Sequence, residues 1–152
     1  LHGNGDYFYI PVDQGYISRL FPRLVESESL SDCFHEPTDL NGQAHISVHA
    51  SGHGSLRQDE LTLLNTLVKN KQMISFSLAA NPLEIFIVHK HHHHKKQTNT
   101  WYVLRVNPNF GSLRKQYSSP TQLAALDQIK QYRFHISIAV QKKHQDRCIK
   151  PH

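Results

Sequence analysis

The chain has 152 residues, 38% of them hydrophobic and 19% charged, with a formal charge of +5 at neutral pH. This length gives one domain with a real core but not two ordinary ones, and this apolar share excludes a disordered chain. No run reaches the roughly 20 apolar residues that a spanning helix needs, so no membrane partner is expected, and the basic balance favours polyanions such as nucleic acid or phosphorylated ligands.

Residues 1–6 read as a loose start. Residues 7–12 (YFYIPV) are aromatic and β-branched and predict a strand, with Pro11 near its edge or end. Residues 16–25 place Ile17, Leu20, Phe21, Leu24 and Val25 at helical spacing, while Pro22 argues against a regular helix throughout. Residues 27–42 read as loop, 43–50 as a strand and 51–54 (SGHG) as a turn. Ser55 is placed to cap a helix through about Lys69, with Leu56, Leu63, Leu64, Leu67 and Val68 as its stripe.

Two strands follow, 73–79 and 83–88, joined tightly at Asn81-Pro82. Residues 89–100 read as a long basic loop leading to a strand over 101–106. Residues 107–109 (NPN) break the chain, and 110–117 suit a short helix. Ser119-Pro120 reads as N-cap and first-turn proline of a helix to about Lys130. A last strand over 132–140 precedes a polar tail, 141–152, expected to fray. The order βα–βα–βββ–α–β predicts one α+β domain, its helices packed on a largely antiparallel sheet.

One internal echo carries chemistry. Residues 44–50 read AHISVHA and residues 134–140 read FHISIAV, so the two His-Ile-Ser triplets stand 90 residues apart. Alternation along a strand puts Ala44, Ile46, Val48 and Ala50 on one face and His45, Ser47 and His49 on the other. It likewise puts Phe134, Ile136, Ile138 and Val140 opposite His135 and Ser137. Phosphodiester hydrolysis needs a base for the attacking water or hydroxyl and an acid for the leaving oxygen, and two imidazoles can hold both roles at neutral pH. Two hydroxyls can donate to the non-bridging phosphate oxygens. No metal or other cofactor is then required. The chain has 13 histidines, so one such triplet would mean little; two matching heptads in strand context carry more.

At these residues the chain resembles the 2H phosphoesterase superfamily, which includes bacterial RNA 2′,3′-cyclic phosphodiesterases, also known as 2′-5′ RNA ligases, and the enzymes that trim the end of U6 RNA. Its signature is a repeated His, any residue, Ser or Thr, then an apolar residue. His45-Ile46-Ser47-Val48 and His135-Ile136-Ser137-Ile138 match it position by position. The resemblance runs from about residue 7 to 140, though only the two tetrapeptides are specific. It implies a bilobal fold with pseudo-twofold symmetry, two antiparallel sheets, helices outside and both motifs in a central groove. It also implies metal-independent chemistry on 2′,3′-cyclic phosphates, 2′-5′ links or RNA 3′ ends. Many members carry Thr where this chain has Ser47 and Ser137, which keeps the hydroxyl. The motifs are nearly equivalent; in hydrolysis His135 is assigned the base and His45 the acid, with roles exchanged in reverse.

The remaining candidates are weaker. His49 shares a strand face with His45 and reads either as groove lining or, preferred, as a solvated strand histidine. The run His89 to Lys96 (HKHHHHKK) could chelate a transition metal or grip RNA phosphates; it is read as a loop without fixed metal geometry, and RNA contact stays open. Arg105, on a strand with Trp101 and Val103, and Tyr132, Arg133 and Tyr9 near the motifs are candidate substrate contacts through phosphate pairing or base stacking. No Walker-type loop and no Gly-x-Ser-x-Gly elbow occurs.

Cys33 and Cys148 form no close metal pair. They are expected as free thiols in a reducing compartment, cytoplasmic or nuclear, with one disulfide as the alternative. Leu1 rather than Met opens the sequence, which leaves room for a targeting segment removed before it. The expected molecule is a monomeric enzyme acting on RNA or a nucleotide. The competing readings are an RNA-binding module without turnover and a metal-binding protein working through the His-rich run.

Overall fold

A computed structural model describes residues 1–4, 7–37, 44–49, 56–92 and 95–149. In chain order its elements are β1 (His2–Asn4), β2 (Tyr7–Pro11), α1 (Gln14–Ser27), β3 (His45–His49), α2 (Gln58–Lys69), β4 (Phe76–His92), β5 (Lys95–Pro108), a 3₁₀ helix (Phe110–Gln116), α3 (Pro120–Ile129), β6 (Phe134–His144) and β7 (Arg147–Ile149). The fold is α+β with an open seven-stranded antiparallel sheet; hydrogen-bonded neighbours run β1-β2-β3-β6-β5-β4, and β7 pairs with β6. The chain divides into two compact units. One comprises Leu1–Pro11, His45–Ala80 and Val106–His135, the other Val12–Ala44, Asn81–Arg105 and Ile136–His152.

In the first unit, β1, β2 and β3 form an antiparallel meander. Alternation along β2 buries Phe8 and Ile10 and leaves Tyr7 and Tyr9 half-exposed. Residues 2–4, expected as part of a loose start, are instead a strand. Gly3 permits it: its φ is +146°, and a Cβ there would run into the Tyr7 carbonyl oxygen and come within 2.8 Å of the Phe8 Cα. Leu1 is buried, and its nitrogen donates to the Gln72 carbonyl at 2.6 Å.

Helix α2 buries Leu63, Leu64 and Leu67 and packs on α3, which buries Ala125, Leu126 and Ile129. Each such side chain contributes about 1.5–3 kcal/mol on leaving water. The 3₁₀ helix adds Phe110, whose ring lies 5.8 Å from that of Phe134. The expected Ser55 cap and the SGHG turn lie outside the described residues. The helix begins later than expected, at Gln58, with Arg57 as an N-cap that makes no side-chain cap bond. Asp59 and Glu60 in the first turn favour the positive end of the helix dipole instead.

In the second unit, Asp13 caps α1 by accepting from the Gly15 amide at 2.9 Å. The helix then runs through Pro22, against expectation. Proline removes the bond that would end on the Ser18 carbonyl; Ser18 and Pro22 are both exposed, so water can take its place. Helix α1 lies over the strands, where Leu20, Leu24, Leu83, Leu104 and Ile138 line a cavity of about 270 Å³.

The two strands expected around Asn81-Pro82 are one strand, β4. Asn81 takes a left-handed φ of 50°, and β4 ends the sheet order. At an edge, the amide that proline lacks costs no ladder bond. The expected loop over 89–100 is likewise mostly strand, since β4 runs to His92 and β5 starts at Lys95. Side chains there remain polar, and Asn99 is buried while accepting from Gln97 Nε2 at 2.9 Å.

Residues 141–149, expected as part of a fraying tail, instead form the end of β6, a turn and β7. Lys142, Lys143 and His144 of β6 pair with Ile149, Cys148 and Arg147 of β7. Cys148 forms a disulfide with Cys33, their Cα atoms 5.6 Å apart, which replaces the two expected free thiols. Their 115-residue separation hid the pairing from the sequence.

Candidate active site

Strand β3 carries the first motif. Ala44, Ile46 and Val48 are buried, whereas His45 and Ser47 are half-exposed. Strand β6 carries the second. Phe134, Ile136 and Ile138 are buried, whereas His135 and Ser137 are half-exposed. The buried residues anchor each strand, and the intervening imidazole and hydroxyl reach solvent on the other side. β3 and β6 are neighbours in the sheet order. His45, Ser47 and His135 belong to the first unit and Ser137 to the second.

Around the first motif the partners are specific. The Tyr7 hydroxyl and Ser47 Oγ are hydrogen-bonded at 2.9 Å. The Tyr7 and Tyr9 rings stand 6.3 and 6.0 Å from the His45 ring, both edge-on. Tyr9 pairs with Ser47, and Pro11 with His45, in the β2–β3 register.

That register slips between Tyr9 and Phe8, so that Phe8 faces His49 while Tyr9 faces Ser47. Val48 is thus the extra residue of a bulge, and the alternation turns over beyond it. Directly opposed residues share a sheet face, so His49 joins core-facing Phe8 and is only 8% exposed. The preferred expectation of a solvated His49 beside His45 is therefore wrong, and the cause is one inserted residue.

Tyr132 donates from its hydroxyl to Glu60 Oε2 at 2.5 Å. Glu60 is buried at the start of α2 and also meets Arg57 Nε at 3.2 Å. Burial, then the hydrogen bond and charge of Glu60, push the Tyr132 hydroxyl up to about 12. Its bond is thus to α2, a structural employment that needs no substrate. Arg133 is exposed. Arg105 lies in the second unit, paired with Glu84 at 2.9 Å, its guanidinium 4.9 Å from the Phe86 ring centre.

Tyr7 and His2 were not among the candidates. Tyr7 had a signal: it alternates with core-facing Phe8 just as Tyr9 does. His2 had none, because the strand that presents it is not predicted. In the His-rich run, His89 Nδ1 lies 3.3 Å from Thr98 Oγ1 of β5. Among the described residues no group of three or more His, Cys, Asp or Glu is placed to hold a metal ion. A cavity of about 700 Å³ in the first unit, lined by His2, Gly3, Ile10, Lys71, Gln72 and Met73 among others, includes none of the motif residues.

An imidazole of this kind can take or give a proton, and a hydroxyl beside it can donate to an anionic oxygen. Comparison with protein-family models, with curated proteins and with solved structures gives no match.

Proposed function

We propose that this protein is a metal-independent phosphodiesterase of the 2H type, acting on RNA or nucleotide phosphodiesters, with 2′,3′-cyclic phosphate hydrolysis as its reaction. The observation that carries the reading is the repeated pattern of a half-exposed His and Ser, each set between buried apolar residues, on two neighbouring strands. The likeness of both tetrapeptides to the 2H signature supports it, and with it the bilobal, pseudo-symmetric groove that such a site would occupy.

In this reading water attacks the phosphorus atom. His135 takes the proton from that water, and His45 gives one to the ribose oxygen that leaves, so the two imidazoles exchange protonation states over a turnover. Ser47 and Ser137 donate to the non-bridging oxygens, where charge builds as the fifth bond forms. Tyr7, bonded to Ser47, fixes the direction of that hydroxyl.

The test is a panel of 2′,3′-cyclic nucleotides, a 2′-5′ dinucleotide and a short RNA with a free 3′ end, each incubated with the protein in EDTA. Consumption of the cyclic phosphates, undiminished by the chelator, is the expected result. Consumption of only one of the other two substrates would reassign the reaction within the same chemistry. No consumption of any would leave the RNA-binding module as the better reading.

A further inference from the structure

Phe8 and Ile10 of β2 point into the core, yet the residues between them are also aromatic. Tyr7 and Tyr9 lie half-exposed on the opposite face, the face that carries His45 and Ser47. The row extends one strand further. β1 places His2 opposite Tyr9, with His2 exposed and its ring centre 5.5 Å from the tyrosine's. Tyr7 and Tyr9 are likewise 5.5 Å apart. The planes of His2 and Tyr7 lie 32° and 35° from that of Tyr9, so neither ring stands edge-on to it. The His45 ring stands edge-on to both Tyr9 and Tyr7, 6.0 and 6.3 Å away.

Core packing does not account for this row, because the core side of β2 is already filled by Phe8 and Ile10. Aromatic rings left partly in water expose apolar area that a planar ligand can cover. Stacking on such rings is how proteins hold single-stranded nucleic acid without reading its sequence.

We propose that His2, Tyr9 and Tyr7 form a stacking platform for the nucleobases flanking the phosphate handled by His45, so that the preferred ligand is a single-stranded oligonucleotide rather than an isolated mononucleotide. The proposal rests on the reading of His45 as an acid-base group and names the substrate class that the same site takes. Gly3 serves the platform indirectly, since only a residue without a Cβ lets β1 lie close enough on β2 to set His2 against Tyr9.

Equilibrium binding tests it separately from turnover. The ligand is a fluorescently labelled 2′-O-methylated pentauridylate, which offers no 2′-hydroxyl nucleophile, together with a matched abasic pentamer. The proteins are wild type, Tyr9→Ala, Tyr9→Phe and His2→Ala, each checked for folding by circular dichroism. Tyr9→Ala is expected to weaken pentauridylate binding by roughly fivefold or more, with Tyr9→Phe, which keeps the ring, within about twofold of wild type. His2→Ala is expected to weaken it too, and the abasic ligand to show no dependence on Tyr9.

Equal binding by wild type and Tyr9→Ala, an equal loss on both ligands, or no measurable binding by wild type would each overturn the platform. Ring-dependent binding by a protein that turns over none of the panel would leave the platform standing and remove the catalytic reading. Turnover of the panel with ring-independent binding would do the reverse.

Discussion

His45 and His135 each sit between buried apolar neighbours, so truncating either removes little packing. His45→Ala and His135→Ala are expected to lower kcat on the accepted substrate by at least about 10²-fold. Thermal midpoints should shift little, as is usual for side chains outside the core. Near-normal turnover by either variant would remove the two-histidine mechanism.

Tyr132 supplies a different readout. Its hydroxyl is raised from 10.0 to about 12, chiefly by burial and then by Glu60. A phenol whose folded pKa lies above its unfolded one favours the folded state while protonated. That contribution is complete below pH 10 and is lost as pH rises through 12. Tyr132→Phe should therefore flatten the alkaline fall in stability over that window, read by denaturant titration at several pH values, while leaving the rate of chemistry per site unchanged. The alternation that singled out His45, Ser47, His135 and Ser137 was legible because apolar neighbours mark each strand's buried face. His49 was misread because a bulge leaves no mark in a run of alternating residues.

Among the elements, those with strong periodicity were legible: α2, α3, the 3₁₀ helix and the strands that carry the motifs. Prolines misled where their surroundings were forgiving. Pro22 faces water inside α1, and Pro82 lies on an edge strand, so neither breaks its element. The His-rich segment misled in the other direction. Its polar side chains suggested loop, but strand formation is decided by backbone pairing, and β4, which runs to His92, and β5, which starts at Lys95, are hydrogen-bonded neighbours in the sheet.

The edge position of β4 has a cost of its own. Leu83, Ile85, Ile87 and Val88 are 38%, 51%, 59% and 39% exposed, on a strand with one unpaired side. Such an edge invites pairing with other chains. Ile87→Lys is expected to reduce concentration-dependent light scattering while changing stability by no more than about 0.5 kcal/mol. Unchanged scattering would show that the edge is already protected.

For the molecule as a whole, the order of elements supported an α+β assignment, and the structure has that class. What lay beyond reach was long-range pairing, which local pattern does not encode. Strand β1, the β6–β7 hairpin and the Cys33–Cys148 bridge are all of this kind. A structural disulfide persists in oxidising surroundings, so the bridge removes the ground on which a reducing compartment was expected. Closing a loop of 115 residues restricts the unfolded chain by about 4–5 kcal/mol in the chain-entropy account. Reduction should then lower the thermal midpoint by roughly 10–20 °C, and a scan unchanged by reductant would show that the bridge contributes nothing to stability.

The same bridge changes what a protease can do. Residues 33 to 148 form a covalent ring, so a single cut at the strand ends near His92 or Lys95 opens the ring without releasing a fragment. The nicked protein would migrate as one band until a reductant is added and then as two. All the strands would still be tethered to one another at the moment of cleavage, each close to the partner it must find again.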